Sequence, residues 1–96
     1  MPKGYWIAHV TVTDPDNYPK YRDAAGKAIA AYGGRFAARG GRCEHPEGAG
    51  YDRNVIVEFD SYDRAVACYH SPEYRAAAKM RHDYSDSTFV IVEGAD

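Results

Sequence analysis

Ninety-six residues, 45% hydrophobic and 27% charged, can build one core and leave no length for a second, so residues 1–96 read as a single domain. A formal charge of −2 supplies no global attraction to nucleic acid or to an anionic membrane. No apolar run approaches the roughly 20 residues of a membrane span, so neither partner is expected.

The opening Met1-Pro2-Lys3-Gly4 leads directly into Tyr5–Val12, a run of aromatic and β-branched residues that predicts a strand. With no leader pattern before it, and with Cys43 and Cys68 reading as small reduced side chains, the expected compartment is the cytoplasm. The strand's faces are Trp6/Ala8/Val10/Val12, uniformly apolar, and Tyr5/Ile7/His9/Thr11. Asp14-Pro15-Asp16-Asn17 stops the strand and offers caps for a helix over residues 16–32, which ends at Gly33-Gly34. Tyr18, Tyr21, Ala25, Ala28, Ile29 and Tyr32 recur along it at helical spacing. Arg35 to Glu44 predicts a second strand bent at Gly40-Gly41, with Arg35, Arg39 and Arg42 along it. Residues 45–52 form a Pro- and Gly-bearing loop.

Arg53–Asp60 is the third strand. Val55, Val57 and Phe59 lie on one face and Ile56 and Glu58 on the other. Ser61 caps a short helix through Tyr69. Ser71-Pro72-Glu73 starts another, whose inner face carries Tyr74, Ala77, Ala78 and Arg81. Residues 83–86 are expected as a loop, and Ser87–Glu93 as the last strand.

Strand, helix, strand, strand, helix, strand is the order of a ferredoxin-like βαββαβ sandwich of the α+β class, with helices on one face of a four-stranded antiparallel sheet. The other face would carry Tyr5, Ile7, His9, Ile56 and Glu58, joined by Phe89 and Ile91. So apolar a surface predicts a homodimer packed sheet on sheet.

Lys3-Gly4-Tyr5-Trp6-Ile7-Ala8, Tyr32-Gly33-Gly34-Arg35-Phe36, Arg39-Gly40-Gly41, Arg53-Asn54-Val55, Glu58-Phe59, Ser71-Pro72-Glu73-Tyr74 and Val90-Ile91-Val92-Glu93-Gly94 resemble the family called domain of unknown function 1330. The resemblance spans nearly the whole chain. It implies membership of the dimeric α/β-barrel superfamily, whose branches include cofactor-independent monooxygenases, lactone isomerases and haem-degrading enzymes. It implies a small-molecule cavity without naming a reaction. Position 9 is arginine or another polar residue in most of that family, so the resemblance assigns His9 no role.

The residues themselves single out His9 and Glu58 as the catalytic pair. If the first and third strands align centre to centre, His9 faces Ile56 and lies diagonal to Glu58, about 7–8 Å away at Cα. A carboxylate there can orient an imidazole for proton transfer, or the two can merely satisfy each other. Arg39, beside Gly40-Gly41, could clamp a ligand carboxylate, or pair with Glu58 or a partner subunit. Tyr18, Tyr21 and Tyr69 could rim a ligand cavity, or pack in the core. The histidines and cysteines show no metal-ligand spacing and no glycine loop cradles phosphate, so neither metal nor cofactor is expected.

Two functions follow. One is small-molecule binding, extending to a cofactor-independent enzyme that moves a proton on an organic acid or enol-like substrate. The other is a non-catalytic homodimeric binding or assembly domain. A cavity of about 300 Å³ or more with converging polar groups marks the first, a solidly packed barrel the second.

Overall fold

The computed structural model describes residues 2–95. The elements run β1 (Gly4–Val12), α1 (Tyr18–Ala31), β2 (Arg35–Arg39), β3 (Arg53–Phe59), α2 (Tyr62–His70), α3 (Pro72–Tyr84) and β4 (Ser85–Glu93). The strands form one antiparallel sheet in the order β2-β3-β1-β4. This is the ferredoxin-like α+β arrangement that the element order predicts.

Alternation along β1 and β3 buries Trp6, Ala8, Val10, Val57 and Phe59 on one side of the sheet. The helices cover that side. Ala25, Ala28 and Ile29 of α1, Ala65 and Cys68 of α2, and Tyr74, Ala77 and Ala78 of α3 complete the core. Small residues on the helices let large rings from the sheet fill the layer between them. Trp6 is the centrepiece: its ring lies 4.7 Å from Tyr74 and 5.1 Å from Phe59, and its Nε1–H donates to the Ala65 carbonyl at 2.8 Å. Burying an indole with its one donor satisfied is the arrangement that costs least. The caps at Ser61 and Ser71 form as expected, accepting from the amides of Arg64 and Tyr74.

Three expectations fail. Phe89 and Ile91 do not face away from the helices. They lie beside Ala8 and Trp6 in the β1–β4 ladder and pack on the core, which leaves Val90 and Val92 on the uncovered face at 49% and 42% exposure. Next, β2 stops at Arg39, and its irregularity falls between Phe36 and Ala38 rather than at Gly40-Gly41. Arg42 therefore sits on an exposed loop. The bulge has a consequence for the site. It places Phe36 and Arg39 both toward the helices, and the Arg39 guanidinium stacks 4.1 Å from the Phe36 ring centroid. Finally, no loop separates α3 from β4. The helix continues to Tyr84 and the strand begins at Ser85, whose hydroxyl donates to the Arg81 carbonyl at 2.6 Å.

Candidate functional site

Register separates the pair that patterning brought together. Tyr5, not His9, lies level with Glu58, and His9 lies level with Asn54. The offset of two residues from a centre-to-centre alignment puts His9 four positions along the sheet from the carboxylate. His9 Nδ1 is 2.6 Å from the Asn54 side-chain oxygen. Glu58 accepts from the Tyr5 hydroxyl at 3.1 Å and from Arg35 Nε at 2.8 Å, and Arg35 also reaches Asp60 at 3.1 Å. Arg39 does not pair with Glu58. The Arg35 guanidinium, with help from the Tyr5 hydroxyl, holds the Glu58 carboxyl below the usual glutamate range. This cluster sits in water: Arg35 is 48% and Glu58 25% exposed.

The concave feature lies on the other side of the sheet, between α1 and strands β1, β2 and β3. Its floor includes Trp6, Val57, Phe89 and Phe36. Tyr18 and Tyr21 come from α1, where spacing of three residues sets both rings on the sheet-facing side, 5.4 Å apart. Its charged lining residues are Arg22, Arg39 and Arg53, with no carboxylate among them. The space left for water is about 40 Å³. Arg53 enters because it shares the parity of Val55 and Val57 on β3. Its guanidinium lies 5.6 Å from the Tyr18 ring, and its buried Nε–H has no hydrogen-bond partner among the described residues. Gly40 makes room for it. That residue has φ +70°, and a Cβ there would stand 2.4 Å from Arg53 Nη1. Burial pushes the Tyr18 phenol above its ordinary pKa, with Arg53 acting weakly in the opposite direction.

Behind Tyr21 lies a second arginine site. The Tyr21 and Tyr74 hydroxyls are 2.8 Å apart. Arg81 Nη1–H donates to the Tyr74 hydroxyl, Arg81 Nε–H donates to Ser87 at 3.2 Å, and the guanidinium packs 4.9 Å from the Phe89 ring. Arg81 is only 2% exposed. Burial pushes the Tyr74 phenol far above its ordinary pKa, so it is neutral. Tyr69 is not among the residues lining this cleft; it packs in the aromatic cluster with Trp6, Tyr74 and Phe89.

Of the residues expected to form the site, Tyr18, Tyr21 and Arg39 converge on one cleft, while Glu58 and His9 lie on the opposite sheet face, apart from each other. Arg22, Arg53 and Arg81 were not singled out for chemistry. Each shares a face with apolar neighbours: Arg53 follows β3's alternation, and Arg81 falls two helical turns after Tyr74. An arginine at a core parity is the signal that marks them.

Among the described residues no helix is long and apolar enough to cross a membrane, and no group of three or more His, Cys, Asp or Glu could hold a metal ion.

The sheet order and helix placement define a ferredoxin-like α+β protein. Within that class, residues 3–95 match the model of the Domain of unknown function (DUF1330), and the chain belongs to that family. No curated protein matches the chain. Among solved structures, a protein of unknown function from Rhodopseudomonas palustris is 21% identical with a TM-score of 0.75, over 99% of this chain and 84% of that one. A dimeric ferredoxin-like protein of unknown function from Thermobifida fusca is 23% identical with a TM-score of 0.65, over 96% and 91%. SnoaB, a cofactor-independent oxygenase from Streptomyces nogalater, is 10% identical with a TM-score of 0.59, over 100% and 96%. These likenesses establish a shared fold.

Proposed function

We propose that the protein binds a small organic acid with an apolar or enol-like body in the cleft between α1 and the sheet. One observation carries this reading: the buried Nε–H of Arg53 has no acceptor, in a cleft whose charged lining residues are all arginines. An unsatisfied buried donor costs about 1–3 kcal/mol, which a ligand carboxylate would recover. Arg39, set on the same side by the β2 bulge and steadied by Phe36, is the second clamp. The apolar floor takes the ligand's body, and Tyr18 and Tyr21 flank it. The space of about 40 Å³ takes about three water molecules, well short of the few hundred Å³ that mark a ready-made small-molecule site. A larger ligand therefore enters by displacing the Arg53 side chain, the one lining group whose buried N–H gains a partner when a ligand arrives. The chemistry such a lining supports is stabilisation of an anion formed by loss of a proton. The likeness in fold to a cofactor-independent oxygenase is in keeping with that chemistry and supplies no residue roles.

Calorimetric titration of short keto acids and aryl carboxylates tests the reading. At least one acid should bind the wild type, and Arg53→Gln should weaken it about tenfold or more, as loss of a charge-assisted hydrogen bond requires. No binding by any acid, or equal binding by the variant, would sink it.

A second reading concerns the uncovered sheet face, where Val90 and Val92 stand exposed beside Tyr5, Ile7 and Ile56. We propose that a second copy packs there. Glu58 and His9 are then polar groups of that seam rather than the catalytic pair. Sedimentation of the wild type should report a dimer at micromolar concentration, and Val90→Glu should shift it to monomer. A folded wild-type monomer would refute it.

A further inference from the structure

Arg81 is a cation nearly removed from water with no carboxylate partner among the described residues. The chain's ion pairs among the described residues are those of Arg35 with Glu58 and Asp60, on the far side of the sheet. A buried guanidinium that serves stability alone is normally paired with an anion. Its partners here are hydroxyls, and the direction of their protons can be worked out. Arginine only donates. Tyr74 oxygen accepts from Arg81, and the other group bonded to it is the Tyr21 hydroxyl. Tyr74 is fully buried, so its own proton must be placed on Tyr21 oxygen to be satisfied. Apart from Tyr74 and the Arg81 guanidinium, which can only donate to it, the Tyr21 hydroxyl meets no side-chain partner among the described residues, and Tyr21 lines the cleft. Its proton is therefore the one left to serve a ligand. Each bond in such a series polarises the next, so the charge of Arg81 strengthens the last donor.

We infer that Arg81, Tyr74 and Tyr21 form a directed hydrogen-bond series that ends in an oxyanion-binding donor at the Tyr21 hydroxyl, selecting ligands that carry an enolate or phenolate oxygen in addition to their acid group. This rests on the cleft being the binding site. Tyr21 is the group that touches the ligand; Tyr74 and Arg81 are positioning residues that act through it. The carboxylate is held at Arg39 and Arg53, and the second oxygen at Tyr21, so the two ends of the ligand are read by separate groups.

The test compares nitrobenzoate, which has only the acid, with hydroxynitrobenzoate, whose phenol is ionised at the working pH. Both should bind the wild type, the second more tightly. Tyr21→Phe should weaken hydroxynitrobenzoate about tenfold and leave nitrobenzoate within about twofold. Tyr74→Phe, which removes no ligand contact, should weaken hydroxynitrobenzoate about threefold or more. If neither compound binds while another acid does, this inference is overturned and the cleft reading stands. If both bind and Tyr21→Phe treats them alike, this inference is overturned while the cleft reading stands. Should the variants lose their folded circular dichroism, proton NMR of the wild type decides. A new downfield hydroxyl proton should appear with hydroxynitrobenzoate and not with nitrobenzoate, because the ionised ligand has no hydroxyl proton of its own; its absence overturns the inference.

Discussion

The two faces of this sheet treat arginine in opposite ways. On the uncovered face Arg35 meets two carboxylates, Glu58 at 2.8 Å and Asp60 at 3.1 Å, and all three groups are wetted. On the covered face Arg81 is buried and meets only hydroxyls and aromatic rings. The first is an ordinary surface cluster, screened by solvent and salt. The second is an arrangement that stability alone does not ask for. The group with the most visible charge partners is thus the less informative one, and the cation without an anion points to the place where an anion is expected.

The largest effect should come from breaking the covered side. Arg81→Ala removes a buried side chain packed on Phe89 and leaves Tyr74 short of a donor, so urea unfolding should show a loss of about 3 kcal/mol. Arg35→Ala should shift the urea midpoint only slightly. Equal losses would break the comparison. Gly40→Ala comes next. The residue's φ of +70° disfavours a side chain, and the added methyl would collide with Arg53. A loss of about 1 kcal/mol in unfolding is expected, together with weaker acid binding by titration.

The uncovered cluster has an acid-side signature of its own. Arg35 depresses the folded-state pKa of Glu58, so its contribution is present above the usual glutamate range and is lost as pH falls through the depressed value. Melting temperatures of wild type and Glu58→Gln should therefore differ slightly near neutral pH and converge in acid. Divergence in acid would contradict the sign. The smallest effect is chemical rather than energetic. Burial pushes the Cys68 thiol up to about 12, while Cys43 is exposed. A disulfide reagent at mildly alkaline pH should titrate one thiol in the folded protein and both in denaturant.

Much of the architecture was legible in the sequence. Ser61, Ser71-Pro72 and Gly33-Gly34 announce helix boundaries through local chemistry that does not depend on distant contacts. What escaped was parity and register. In β4 both alternating sets are apolar, so Phe89/Ile91 and Val90/Val92 compete equally, and only the ladder with β1 decides. The placement of His9 against Asn54 is likewise a property of two strands together. Arg39 reached the cleft through a bulge at Ala37, a position whose residue gives no hint of one, whereas of the conspicuous Gly40-Gly41 pair only Gly40 has a visible task, seating Arg53. Tyr18 and Tyr21 were recognisable as candidates because helical spacing alone sets which way they face.

The direct passage of α3 into β4 also governs how the molecule can breathe. The Tyr84 carbonyl accepts the amides of both Thr13 and Asp14, at 2.9 and 3.0 Å, so this corner ties three elements together with no spare chain. The slack in the fold lies at the same end of the sheet but across it, in segment 40–52 between β2 and β3. Widening to admit a guest must be hinged at the tight corner and taken up at the loose one, much as a book opens away from its spine. Amide exchange should accordingly be slowest near Tyr84 and fastest beyond Arg39, and the buried guanidinium, sitting close to the spine, would keep its place while the cover moves.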